Sequence, residues 1–193
     1  QQAMASSERI FGLLDTPVDA SLARPLLDAP PPPIPAAAVG RIEFDRVGFA
    51  YRDGHPVVED VSFTVEPGER LALVGATGSG KTTLISLLLR FYQPQRGEIR
   101  VDGRPLADWD VHALRRRIGV VLQDVFLFSG TIAANLTLGD PAISPEAIER
   151  AARDAHADEF ITRLPGGYEA PVMERGSTFS AGQRQLLSFA RAL

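Results

Sequence analysis

The stretch Leu71-Ala72-Leu73-Val74-Gly75-Ala76-Thr77-Gly78-Ser79-Gly80-Lys81-Thr82-Thr83-Leu84 decides the reading of this chain. Leu71 to Val74 are apolar throughout, which predicts a strand covered on both faces, as in a parallel sheet. Leu84, Ile85, Leu87, Leu88 and Leu89 predict a largely buried helix. Between them, Gly75 to Thr82 match the pattern G-x-x-x-x-G-K-[ST]. Glycines let such a loop turn its backbone N–H groups inward, as a cradle for phosphate oxygens. The helix that follows adds free N–H groups and the positive end of its dipole. Lys81 brings a compact charge to the β- and γ-phosphates. Thr82 offers a hydroxyl to Mg2+, an ion that keeps several waters and takes few protein ligands. The run Gly75, Ala76, Thr77, Gly78, Ser79, Gly80, Lys81, Thr82, Thr83 is therefore predicted to hold a nucleotide's phosphates. A kinase-type glycine loop fits less well, because G-x-G-x-x-G is absent and the lysine sits in the loop itself.

Working outward, the 193 residues allow one domain, or one domain with an appendage. At 45% hydrophobic and 23% charged, the composition is that of a globular domain, which excludes disorder throughout and a collagen-like chain. The absence of cysteine excludes disulfides, thiolate metal sites and thiol catalysis. The net charge of −4 and the lack of a basic stripe give no reason to expect nucleic-acid binding. Arg115–Arg117 read as a solvated helix end. No apolar run is long enough to cross a bilayer. Of the 20 basic residues, 19 are arginine and the one lysine is Lys81.

Residues 1–16 read as the end of a helix, with Met4, Ser7, Phe11 and Leu14 on one face. Residues 17–40 carry Pro30–Pro33 in a row and read as a semi-rigid linker. From residue 41 a domain begins. Ile42, Phe44, Phe49 and Tyr51 predict one strand, Val61–Val65 a second, Glu98–Val101 another, and Ile118–Leu122 a buried one. Asp110 is expected to cap a short helix. Ser144 and Pro145 suit an N-cap and first turn, and helices are expected over about 145–155 and 157–164. The last helix is expected after Ser180, with Gln183 completing a capping box. His55, His112 and His156 read as surface or helix residues.

A second signature singles out one family among the many phosphate-loop proteins. Phe179-Ser180-Ala181-Gly182-Gln183 resembles the L-S-G-G-Q signature of ATP-binding cassette (ABC) transporters of the exporter type. Ser180, Gly182 and Gln183 match it, while Phe179 and Ala181 depart. The resemblance covers 41–193 as a partial nucleotide-binding domain, with 1–16 similar to the end of the helix leading from an exporter's membrane domain. It implies an α/β fold: a RecA-like P-loop NTPase core, an antiparallel β subdomain and a helical signature subdomain. It implies that Tyr51 stacks on adenine, a contact tolerant of base identity. It also implies that Gln123 approaches Mg2+ and the attacking water and senses the membrane domain. Glu174-Arg175-Gly176 and Gly130-Thr131-Ile132-Ala133-Ala134-Asn135 resemble further exporter segments.

In this family two such domains pair head to tail, so Ser180, Gly182 and Gln183 are expected to act in trans on ATP held by a partner's phosphate loop. The implied partners are a second nucleotide-binding domain, the same or different, and the transmembrane domains of a transporter. The implied location is the cytoplasmic face of the membrane, reached through membrane domains absent from this chain. The implied cofactors are ATP and Mg2+, and the implied work is export driven by ATP binding and hydrolysis. Family elements expected after Leu193 are an apolar strand ending in a metal-binding aspartate, a glutamate base and a switch histidine. The chain is thus expected to be C-terminally incomplete and not to turn over ATP alone. A soluble ABC-type ATPase and a non-catalytic nucleotide-binding module remain as alternatives.

Overall fold

A computed structural model describes residues 2–16 and 39–193; side chains are described from Ser7 onward, Arg175 excepted. The linker expected over 17–40 lies almost wholly outside the described residues. The chain divides into two compact units, one ending at Ile118 and the other spanning Gly119–Leu193.

In the first unit, helix α1 covers Gln2–Leu14. Its Ile10, Phe11, Leu13 and Leu14 are exposed. Strands β1 (Ile42–Arg52) and β2 (His55–Val65) form a long hairpin, and β2 starts six residues before the segment expected from sequence. Helix α2 (Lys81–Leu88) follows the phosphate loop, and strands β3 (Arg96–Val101) and β4 (Arg104–Pro105) follow it. These strands make one antiparallel sheet in the order β2-β1-β3-β4. The Asp102 carboxylate accepts from the Gly40 and Arg41 amides at 2.7 and 2.9 Å, which ties the β3–β4 turn to the start of β1. Helix α3 (Val111–Arg115) is capped by Asp110, whose Oδ1 accepts from the Ala113 amide at 2.8 Å. The core of this unit gathers Phe44, Val47 and Phe49 of β1 and Val58 of β2. Leu84 and Leu87 of α2, Ile99 of β3, Trp109 and Leu114 complete it.

The second unit starts irregularly and then forms strand β5 (Gly130–Thr131) and helix α4 (Ile132–Thr137). Helices α5 (Pro145–Asp154) and α6 (Asp158–Thr162), strand β6 (Pro171–Val172) and helix α7 (Ala181–Ala192) complete it. β5 and β6 pair antiparallel. Ser144 caps α5, accepting from the Ala147 amide at 3.3 Å, with Pro145 in the first turn. Leu127, Ile132, Ile161, Phe179 and Leu187 lie in a separate core.

The α/β class with an antiparallel sheet and helices is borne out. Two expected strands are not. Leu71–Val74 and Ile118–Leu122 have no ladder partner among the described residues, and Val74 and Leu122 are 93% and 63% exposed. A parallel strand owes its stability to hydrogen-bonded neighbours on each side and to cover on both faces. Apolar sequence supplies the second requirement and says nothing of the first. Arg115 also departs from expectation. It is only partly solvated, because its Nε and Nη2 donate to the Leu89 and Arg90 carbonyls at 2.9 and 3.0 Å. Its guanidinium lies 4.6 Å from the Phe91 ring centroid. A cation bonded to the carbonyls just past the last turn of α2 also meets the negative end of that helix. His55, His112 and His156 are exposed, as expected.

Candidate nucleotide-binding site

The phosphate loop turns tightly into α2. Gly80 is the N-cap, at φ 87°. A Cβ there would stand 2.8 Å from the Val57 carbonyl oxygen and 3.2 Å from Val58 Cγ2. Left-handed backbone and close approach to β2 thus both demand glycine. The Ser79 amide donates to the Ala76 carbonyl at 3.2 Å, and the Leu84 amide to the Gly80 carbonyl at 3.0 Å. Lys81 Nζ donates to the carbonyl oxygens of Gly75 and Ala76, at 2.8 and 2.7 Å, and lies 3.4 Å from Ser79 Oγ. The lysine head therefore sits over the loop itself. Thr77, Gly78 and Thr82 are exposed, and Thr83 is buried.

Tyr51 belongs to the same unit. It stands on β1, 50% exposed. Its ring meets those of Phe49 and Tyr92 at 87° each, with centroids 4.9 and 5.0 Å away. Its hydroxyl lies 3.1 Å from Thr83 Oγ1. Nothing in the sequence signals this pairing of residues 32 apart.

Gln123, Ser180, Gly182 and Gln183 lie in the second unit. Gln123 is exposed on an irregular segment. Ser180 opens α7 with the expected capping box. Its Oγ accepts from the Gln183 amide at 3.2 Å, while Gln183 Oε1 accepts from the Ser180 amide at 2.9 Å. The hydroxyl hydrogen of Ser180 is not used in that bond. Ala181 and Gly182 are exposed in the first turn. Phe179, where the signature has leucine, is buried, and its ring centroid is 6.2 Å from that of Phe160. Ahead of it, Gly176 has φ 63°, and a Cβ there would lie 2.6 Å from Leu127 Cδ1.

Sequence reasoning missed what holds this unit's loop. Asn135 is 1% exposed, and its side-chain amide makes several bonds. Oδ1 accepts from the Phe128 amide at 2.8 Å, and Nδ2 donates to the carbonyls of Phe128 and Thr131 at 2.8 and 3.0 Å. Arg191 of α7 donates to the Asn135 and Phe126 carbonyls at 2.9 and 3.0 Å. Burial lowers the Arg191 pKa. The helix that starts at Ser180 is thereby fastened to the segment downstream of Gln123. The run ending at Asn135 was singled out by resemblance alone, and Arg191 by nothing.

Residues 58–193 match the family model described as ABC transporter. The chain belongs to the ABC transporter family. A fatty acid ABC transporter ATP-binding/permease protein of Mycobacterium bovis is 45% identical over 192 residues, covering 100% of this chain and 29% of that protein. An ATP-dependent lipid A-core flippase of Saccharophagus degradans is 42% identical over 193 residues, covering 100% of this chain and 32% of the flippase. A solved structure of a bacterial Atm1-family ABC exporter with ATP bound matches with a TM-score of 0.81 and 36% identity, over 99% of this chain and 33% of that one. The ABC chain thus spans about a third of the length of these relatives. The exporter type read from the sequence is borne out. Membership of this family implies ATP binding. Among the described residues no helix is long and apolar enough to cross a membrane.

Proposed function

We propose that this chain is the ATP-binding motor domain of an ABC exporter, coupling ATP binding and hydrolysis at a head-to-tail dimer interface to substrate export. One observation carries the reading. The glycine loop feeds directly into α2 at Gly80, and an aromatic platform, Tyr51, is bonded to that same helix. Phosphate donors and a base-stacking surface thus share one unit. Lys81 and the amides of 75–83 hold the phosphates, and Tyr51 takes the adenine. Thr82 is exposed in the first turn of α2 and offers a hard hydroxyl oxygen, which suits Mg2+. Thr82 and Gln123 would hold that ion, which would neutralise developing charge on the phosphates.

Ser180, Gly182 and Gln183 serve the partner's ATP. The cap leaves the Ser180 hydroxyl hydrogen to donate, and the N-terminus of α7 adds its dipole. The membrane domains of the transporter would bring the domain to the cytoplasmic face. In support, the Mycobacterium bovis relative is by its name an ATP-binding/permease protein.

Titration with ATP in the presence and absence of Mg2+ tests the reading. The protein should bind ATP more tightly with Mg2+, and Lys81→Ala should remove most of that affinity. ATP binding unchanged by Lys81→Ala would overturn the assignment of the loop.

A further inference from the structure

We propose that Thr83 is a positioning residue for the base, acting through Tyr51. The inference rests on the nucleotide reading above. Thr83 is 5% exposed and lies in the first turn of α2, two residues after Lys81. Its Oγ1 is 3.1 Å from the Tyr51 hydroxyl, either of which can donate. A threonine so deeply buried presents its hydroxyl to this ring, not to solvent. Tyr51 itself is half exposed near the tip of the β1–β2 hairpin, where a lone ring would be free to change rotamer. Three contacts hold it. Phe49 and Tyr92 stand at right angles to it, and the hydroxyl pair fixes its far end.

The geometry links base and phosphate. Lys81 and Thr83 sit in one helical turn, so the phosphate cradle and the aromatic platform are joined by a single hydrogen bond across 32 residues of sequence. Orienting the ring before the nucleotide arrives lowers the ordering cost of stacking. The Thr83 side chain thus contributes to affinity for the base-bearing ligand, while a bare polyphosphate draws on the Thr83 backbone amide alone.

Binding of ATP and of inorganic tripolyphosphate would be measured for the protein and for Tyr51→Phe, Thr83→Val, both together, and Thr83→Ser. Each single variant is expected to weaken ATP about three- to tenfold, the range for one hydrogen bond. The double variant should be no weaker than either single one, because both remove the same bond. Thr83→Ser should keep ATP affinity, and tripolyphosphate should bind all variants alike, because each of them retains the backbone amide of residue 83. Should Thr83→Val fail to fold, Tyr51→Phe, at the exposed end of the pair, still reads the bond with these two ligands.

Losses that multiply in the double variant would overturn the inference, as would ATP affinity unchanged by removing either hydroxyl. So would tripolyphosphate weakening in step with ATP, which would put Thr83 directly on the phosphates. If the unaltered protein binds neither ligand, the nucleotide reading fails and the inference falls with it. If it binds both and the losses multiply, only the role of Thr83 falls.

Discussion

Gly80 concentrates two constraints in one residue. Its φ of 87° is left-handed, and the space where a Cβ would go is already held by the Val57 carbonyl. Gly80→Ala is therefore expected to cost about 1–3 kcal/mol, the usual range for such strain. Urea unfolding followed by Trp109 fluorescence would check it, since Trp109 lies in the same core. A cost below a few tenths of a kcal/mol would mean that the loop relaxes away from β2. The pattern G-K-[ST] made this position legible in the sequence, because the chemistry of a phosphate cradle is local. The Tyr51 to Thr83 bond was not legible, because each residue alone looks ordinary and only the folded hairpin brings them together.

At the scale of elements, the caps were readable and the buried strands were not. Asp110, Ser144 and Ser180 each accept from the amide three residues on, so side chain and partner lie within one short window. Leu71–Val74 depends on neighbours remote in sequence, and no local pattern states whether they are present.

The packing of α6 makes a further expectation. Tyr168 donates its hydroxyl hydrogen to Asp158 Oδ1 at 2.7 Å. Burial, and then the hydrogen bond to Asp158, raise its pKa above the ordinary value of 10. With the folded pKa the higher one, this contribution is fully present below pH 10 and is lost as pH rises beyond it. Unfolding at stepped alkaline pH should show a loss of stability above pH 10 that Tyr168→Phe reduces. An identical alkaline profile in that variant would remove Tyr168 as its source.

For the whole molecule, the two units divide the candidate residues between them. Tyr51 and the phosphate loop lie in the first, and Gln123 and Ser180 in the second. If pairing is head to tail, each ATP needs the first unit of one chain and the second unit of another. Lys81→Ala and Ser180→Ala chains should then associate weakly when each is alone with Mg2+ and ATP. Mixed together they should form pairs with one intact site, because the Lys81 of one and the Ser180 of the other remain. Sedimentation of the mixture against each component reads this directly. A mixture no more associated than its parts would exclude a shared site. The α/β class was legible at this scale, because strand and helix patterns are spread over many residues and single misreadings average out. The antiparallel β and helical subdomains were implied by the resemblance that Ser180, Gly182 and Gln183 carry, not by those patterns.

Lys81 is the only lysine in the chain, and its head rests on the Gly75 and Ala76 carbonyls. An acylating reagent therefore finds a single ε-amine, and it lies at the phosphate loop. The protein carries its own footprinting probe. The rate at which residue 81 is modified, read by mass spectrometry, should fall with ATP or tripolyphosphate and stay unchanged with adenosine.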